Sequence, residues 1–148
     1  MIFLRENIKD IIEELEPLLQ LHYSEVAWNQ SKIPLVVNKN AYYTMEENGM
    51  IVCFTARVAG NLVGYAAFFM SPHPHYAMTL YGSNDVVFLH PAHRGHGMDF
   101  ITYCEKELRD LGRNVITLHV KNTFNFGPAI EKLGYELTDL IYQKWLGD

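Results

Sequence analysis

The chain has 148 residues, 17 acidic against 12 basic, a formal net charge of −5, and 49% apolar with 13% aromatic content. That length and apolar content suit one domain spanning 1–148 with a filled core, and the acidic balance without a long basic run excludes a broad nucleic-acid-binding surface. The start of the chain lacks a basic n-region and cleavage site, and no apolar run approaches the roughly 18 residues of a membrane span, which predicts a cytoplasmic protein without a membrane partner. Cys53 and Cys104 show no Cys-x-x-Cys spacing and read as buried thiols in a reducing compartment.

Met1 to Leu4 read as an opening strand, and Asn7 as the cap of a helix whose Ile8, Ile11, Ile12, Leu15, Leu18 and Leu19 follow the helical period. Pro17 predicts a break in that helix or the start of a second one. His22, Tyr23, Glu25 and Trp28 then fall within two turns and read as a half-buried face with an aromatic anchor. Ser31 to Asn38 are loop, and Asn40 to Asn48 a short helix stopped by Gly49. Met50 to Val58 and Leu62 to Met70 are β-rich runs around Ala59-Gly60-Asn61, a hairpin signal, and Gly64 predicts a bulge or a close backbone approach. His73 and His75 lie in a proline-bound loop. Together with His90, His93 and His96 they supply imidazoles but no regular ligand spacing, so no metal is predicted.

Ala77 to Tyr81 and Asp85 to Leu89 read as one long strand or two halves around Gly82-Ser83-Asn84. Val86 to Leu89 are apolar in succession, which predicts a strand buried on both faces and closed by Pro91. Arg94, Gly95 and Gly97 follow, and then Phe100, Ile101, Cys104, Leu108 and Leu111 recur at helical spacing up to Gly112. A strand, a glycine-bearing turn and a helix start make a cradle whose backbone N–H groups and positive helix end suit an anion. Val115 to Val120 read as another strand, Asn122 to Pro128 as a turn, Pro128 to Leu133 as a helix stopped at Gly134, and Leu140 to Leu146 as the last strand.

The hydrophobic strand, the proline, Arg94-Gly95-His96-Gly97-Met98-Asp99 and the helix after it resemble the central motif of the GCN5-related N-acetyltransferase superfamily, Arg/Gln-x-x-Gly-x-Gly/Ala. Asp99 stands where that family usually has Gly or Ala. Glu131-Lys-Leu-Gly-Tyr135 resembles the family's Lys-x-Gly-Phe/Tyr element, and the hairpin its Gly-x-Leu-Val-Gly. The overall look, with Leu-His-Tyr-Ser-Glu from Leu21, is similar to small phage-encoded members. The resemblance implies an α+β domain with a central mixed, mostly antiparallel twisted sheet flanked by helices. It also implies transfer of an acetyl group from acetyl-CoA to a primary amine, on a small molecule or a protein, by direct attack in a ternary complex.

By the same resemblance, the pyrophosphate of acetyl-CoA sits on the backbone of Arg94, Gly95, His96, Gly97, Met98, Asp99 and Phe100, and the pantetheine arm runs along Phe88, Leu89 and His90. The Leu89 N–H polarises the thioester carbonyl. Asn122 and Asn125 both lie near the family's asparagine, and Phe126 adds to the cosubstrate side. The paired helices after the first strand flank the acceptor, which brings His22, Tyr23, Glu25 and Trp28 within reach of substrate.

An amine attacks only when neutral, and one with a pKa of about 10 is mostly protonated at pH 7, so a nearby group must take a proton. Asp85 is the first candidate, with an equal reading as a turn cap, and His119 on the neighbouring strand is the second. Ile130 occupies the place of the family's thiolate-protonating tyrosine, which leaves Tyr103, Tyr135 and Tyr142 as substitutes. The alternative is a catalytically impaired protein that keeps the CoA cradle and works by contacting a partner; Asp99 and Ile130 favour it. A homodimer stays open.

Overall fold

In strand β2 (Ile51–Val58) successive side chains go to opposite faces, and both faces are covered. Ile51 and Cys53 pack with Ile8, Ile11, Leu15 and Leu18 of helix α1 (Ile8–Val26). Val52, Phe54 and Ala56 pack with Phe100, Cys104 and Leu108 of helix α3 (Gly97–Asp110). Two cores back to back keep Ile51 to Phe54 apolar in succession, which is why this run carries no alternation, and the buried Thr55 hydroxyl is satisfied by Glu6.

The computed structural model describes residues 1–147. Around β2 it sets β1 (Ile2–Arg5), β3 (Asn61–Phe69), β4 (Tyr81–Leu89) and β5 (Val115–Thr117) in one five-stranded sheet, ordered β1-β2-β3-β4-β5. The first four are antiparallel to their neighbours, and β5 runs parallel to β4. Helix α2 (Lys39–Glu47) adds Tyr42, Tyr43 and Met45 to the α1 face, and a short helix α4 (Gly127–Ile130) follows β5. The architecture is α+β, with a mixed, mostly antiparallel sheet between helices.

Local chemistry accounts for most of these boundaries. Ala59 and Gly60 both have positive φ, 49° and 85°, and form the two-residue turn whose twist matches the strands on either side. Gly64 sits at both features its position predicts. Val63 is the extra residue of a bulge opposite Ala56 and Arg57, and a Cβ on Gly64 would lie 2.5 Å from Leu89 Cδ1 and 2.9 Å from the Phe88 carbonyl oxygen.

Three expectations need correction. Pro17 does not interrupt α1, because it lies on the exposed side while Leu15 and Leu18 continue one buried stripe past it. The Asn7 side chain does not cap that helix; it donates to Asp10 at 3.2 Å, and Glu46 of α2 takes the Ile8 N–H at 2.8 Å instead. The strand predicted over Leu140 to Leu146 is absent. Beyond Gly134, which ends the 3-10 turn Glu131–Leu133 that follows α4 and has φ 93°, the described residues form neither helix nor strand, and Leu140, Ile141 and Tyr142 are 70–88% exposed. Apolar content signals a tendency to extend, but a strand exists only where an edge supplies hydrogen bonds.

Substituting Gly64→Ala forces its methyl onto Leu89 and the β4 backbone, and should lower stability by about 1–3 kcal/mol. Urea denaturation would show a lower midpoint at unchanged slope; an unchanged midpoint would mean that β4 shifts freely.

Candidate functional site

The register of β4 decides which of its backbone groups are left over. Tyr65 pairs with Phe88 and Gly64 with Leu89, and the His90 N–H donates to the Val63 carbonyl at 2.8 Å. Antiparallel alternation therefore turns the Phe88 amide toward β3 and the Leu89 amide away from it. On that far side β5 pairs only with Tyr81, Gly82 and Ser83. Among the described residues no strand pairs with the far side of β4 from Val86 to Leu89.

Asn84 holds the strands at the point where they part. It is 4% exposed, its Oδ1 accepts the His119 N–H at 2.5 Å, and its Nδ2 donates to the His119 carbonyl at 3.4 Å. The predicted strand Val115 to Val120 consequently ends at Thr117, since a side-chain amide takes the bonds a β4 backbone group would have made.

The next residue breaks the register. Ala67 pairs with Val86 but Phe68 with Asn84, so Asp85 is the extra residue of a bulge. The Tyr42 hydroxyl donates to Asp85 Oδ2 at 2.5 Å; burial, and then this carboxylate, push the Tyr42 pKa up, so it remains a donor. Asp85 lies four residues from Leu89, roughly 13 Å along a strand. His119 is exposed, with its Nδ1 3.3 Å from the Asn84 carbonyl. Neither sequence candidate for the base is adjacent to Leu89.

His22 is closer. Its ring stacks on Phe88 with centroids 4.7 Å apart, and its Nδ1 lies 2.9 Å from the Tyr65 hydroxyl. Burial lowers its pKa against the opposing pull of Glu25, which keeps the imidazole neutral at pH 7. Tyr103 packs on Phe3 and Phe54, and Tyr142 is 88% exposed. The Tyr135 hydroxyl is buried beside Glu105, and burial, then that carboxylate, push its pKa up.

Past His90 the chain turns through a 3-10 helix, Pro91–His96, directly into α3. The turn uses part of its own backbone: His90 Nδ1 accepts the Ala92 N–H at 3.2 Å, the His90 carbonyl accepts from His93 at 2.8 Å, and the Arg94 carbonyl accepts from Gly97. A Cβ on Gly95 or Gly97 would touch nothing within 4 Å, so the outside of the bend is open. The Asp99 side chain is 72% exposed and lies 3.6 Å from His96 Nδ1, turned toward water. Phe88 and Phe100 are core residues, and the Phe88 amide is turned to β3 as well, so on β4 it is Leu89 whose amide is left for a ligand. Arg94 reaches across the mouth: it pairs with Glu25, donates from Nε to the Leu89 carbonyl at 3.4 Å, and stacks its guanidinium 4.4 Å from the Phe124 ring centre. Asn122 and half-buried Phe126 lie on the same connection as Phe124, whereas Asn125 Oδ1 is engaged by the Gly127 N–H at 2.8 Å. A cavity of about 470 Å³ lies between α1, the loop before α2 and Lys39, and no residue of β4 lines it.

The family model for the GNAT acetyltransferases matches residues 9–130. The chain belongs to this family. Its fold is similar to a ribosomal-protein-alanine N-acetyltransferase from Brucella melitensis biovar Abortus, at 18% identity, TM-score 0.70, covering 98% of this chain and 99% of that one. It is also similar to a predicted acetyltransferase from Clostridium acetobutylicum solved with acetyl-CoA, at 16% identity, TM-score 0.71, covering 98% and 96%. An aminoglycoside acetyltransferase from an uncultured soil metagenomic sample gives 16% identity and TM-score 0.73 over 99% and 98% of the two chains. No curated protein matches the chain. GNAT members use acetyl-CoA, and the residues here fit it: the bend outside Gly95 and Gly97 is open, and no strand covers the Leu89 amide.

Two outcomes follow from this GNAT site. Asn84→Ala strips both partners from the His119 backbone and should cost about 1–3 kcal/mol, with amide exchange accelerating at Leu118 to Val120; unchanged protection there would mean the clamp is idle. His22 binds its proton more weakly folded than unfolded, where its pKa is about 6.5, so the unfolded chain takes up more protons as pH falls through that value and stability declines in that direction. His22→Gln should flatten the drop in urea midpoint between about pH 7.5 and 5.5; parallel curves would contradict it.

Proposed function

We propose that this GNAT chain transfers an acetyl group from acetyl-CoA to a primary amine, of a small molecule or a protein, by direct attack in a ternary complex. The observation that carries the reading is the Leu89 amide, turned into the gap between β4 and β5 with the neutral His22 ring stacked on the adjacent Phe88. Acetyl-CoA supplies an activated acyl group as its thioester. Backbone groups from Arg94 to Phe100 and the positive end of α3 hold its diphosphate, with His96, Met98 and Asp99 contributing main chain. Val87 and Leu89 turn backbone groups to the arm as it passes along Phe88 and His90, whose own amides are spent on β3, and Asn122 and Phe126 close the other side. The Leu89 N–H donates to the carbonyl oxygen as negative charge grows on it.

The amine nitrogen bonds to the acetyl carbon, the carbon–sulfur bond breaks, and the ammonium proton must leave. His22 is placed nearest to receive it. Asp85 serves through water, its carboxylate steadied by Tyr42, and His119 is the more exposed second route. Ile130 is buried and has no hydroxyl to give the sulfur, but the conjugate base of a thiol with a pKa of about 8.5 leaves unaided as thiolate and takes up the proton that the new amide nitrogen sheds. The reading as a partner-binding protein keeps Ile130 and Asp99 in its favour, the Asp99 carboxylate standing in the first turn of α3 with His96 Nδ1 3.6 Å away. A cytoplasmic setting goes with the acetyltransferase reading.

Calorimetric titration with acetyl-CoA should give saturable one-site binding, abolished in Arg94→Glu. Thiol release across an amine library, followed by mass analysis, should yield a product heavier by one acetyl group. Binding without release from any amine would turn the assignment toward the partner-binding protein.

A further inference from the structure

Glu25 is the one residue at this mouth whose charge has an occupant already. Its carboxylate pairs with Arg94, and both side chains are partly withdrawn from water, 24% and 32% exposed. Among the described residues Glu25 has no second ion-pair partner. The same guanidinium is fixed by the Leu89 carbonyl at 3.4 Å and the Phe124 ring at 4.4 Å, so it bridges α1, the end of β4 and the connection after β5. Glu25 stands three residues after His22 on α1, on the same face of the helix. A carboxylate next to the proton acceptor is thus masked by the cation best placed to meet a diphosphate.

We propose that Glu25 and the diphosphate of the cosubstrate compete for Arg94, and that the carboxylate so released is the docking point for a positively charged amine acceptor. The proposal rests on the acetyltransferase reading and adds to it the charge class of the acceptor and a coupling between the two sites. A diphosphate presents more negative charge and more acceptor oxygens to a guanidinium than one carboxylate does, so the exchange runs toward the cosubstrate. Once Arg94 turns away, Glu25 and Asp85 leave the mouth negative. An ammonium is then drawn in beside His22, which takes its proton before attack.

The coupling gives Glu25→Gln two opposite effects. Removing the competitor should tighten CoA binding about twofold to fivefold in calorimetry at low salt, the scale of a partly exposed ion pair. The same substitution should raise the KM of a cationic amine about tenfold, because its counter-ion is gone. Glu25→Ala, which cannot hydrogen-bond to Arg94, should behave alike, with thermal melting confirming the fold. Unchanged or weaker CoA binding by both variants overturns the competition, and an unchanged amine KM overturns the docking role. If the unaltered chain fails to bind CoA, the acetyltransferase reading falls and this proposal with it; if it binds and the variants do not bind more tightly, only this proposal falls.

Discussion

Between Ser83 and Asn84 the hydrogen bonding from β4 to β5 passes from backbone to a side-chain amide. A strand pair cannot diverge inside a protein without leaving polar groups unmatched, and a buried amide that both donates and accepts is the least costly way to end one. Asn84 satisfies His119, two residues past the end of β5, and the backbone further along β4, at Val87 and Leu89, is left facing a gap that can be filled from outside. The bulge at Asp85 belongs to the same event, since the extra residue lets β4 bend away while Phe88 and Leu89 keep their opposite faces in the two cores.

Charge at this gap is arranged by elements far apart in sequence. Arg94 follows β4, Glu25 ends α1, and Phe124 follows β5, yet one guanidinium contacts all of them. His22 is shielded by Phe88 and bound to Tyr65, so its neutrality comes from burial in the α1 core. The helices on that face therefore set the ionisation of the site as well as covering the sheet.

The parts legible in sequence are those governed by neighbours along the chain. Ala59-Gly60 announces the hairpin, Gly64 the crowding against β4, and the period of Ile8, Ile11, Leu15 and Leu18 the buried stripe of α1. The order from Val86 to Phe100 marks the motif strand, turn and helix. Pro17 misleads because a residue's own chemistry does not say which face it occupies, and Leu140 to Leu146 mislead because apolar content does not say whether an edge is available. His22 is read from its helix as an ordinary half-buried residue; its partner Tyr65 is 43 positions away, and the Glu25 partner of Arg94 is 69 away. No local pattern encodes such pairs.

The two cysteines carry a consequence for chemistry. Cys53 lies in the α1 core and Cys104 in the α3 core, 1% and 2% exposed, and burial pushes the Cys53 thiol up to about 12 and Cys104 well above its usual value. Sulfur attacks as thiolate, and these two stay protonated and walled off. The protein has no other cysteine to carry an acyl group in a double-displacement cycle, so a thioester arriving in the gap has no sulfur relay through which to pass its acyl group.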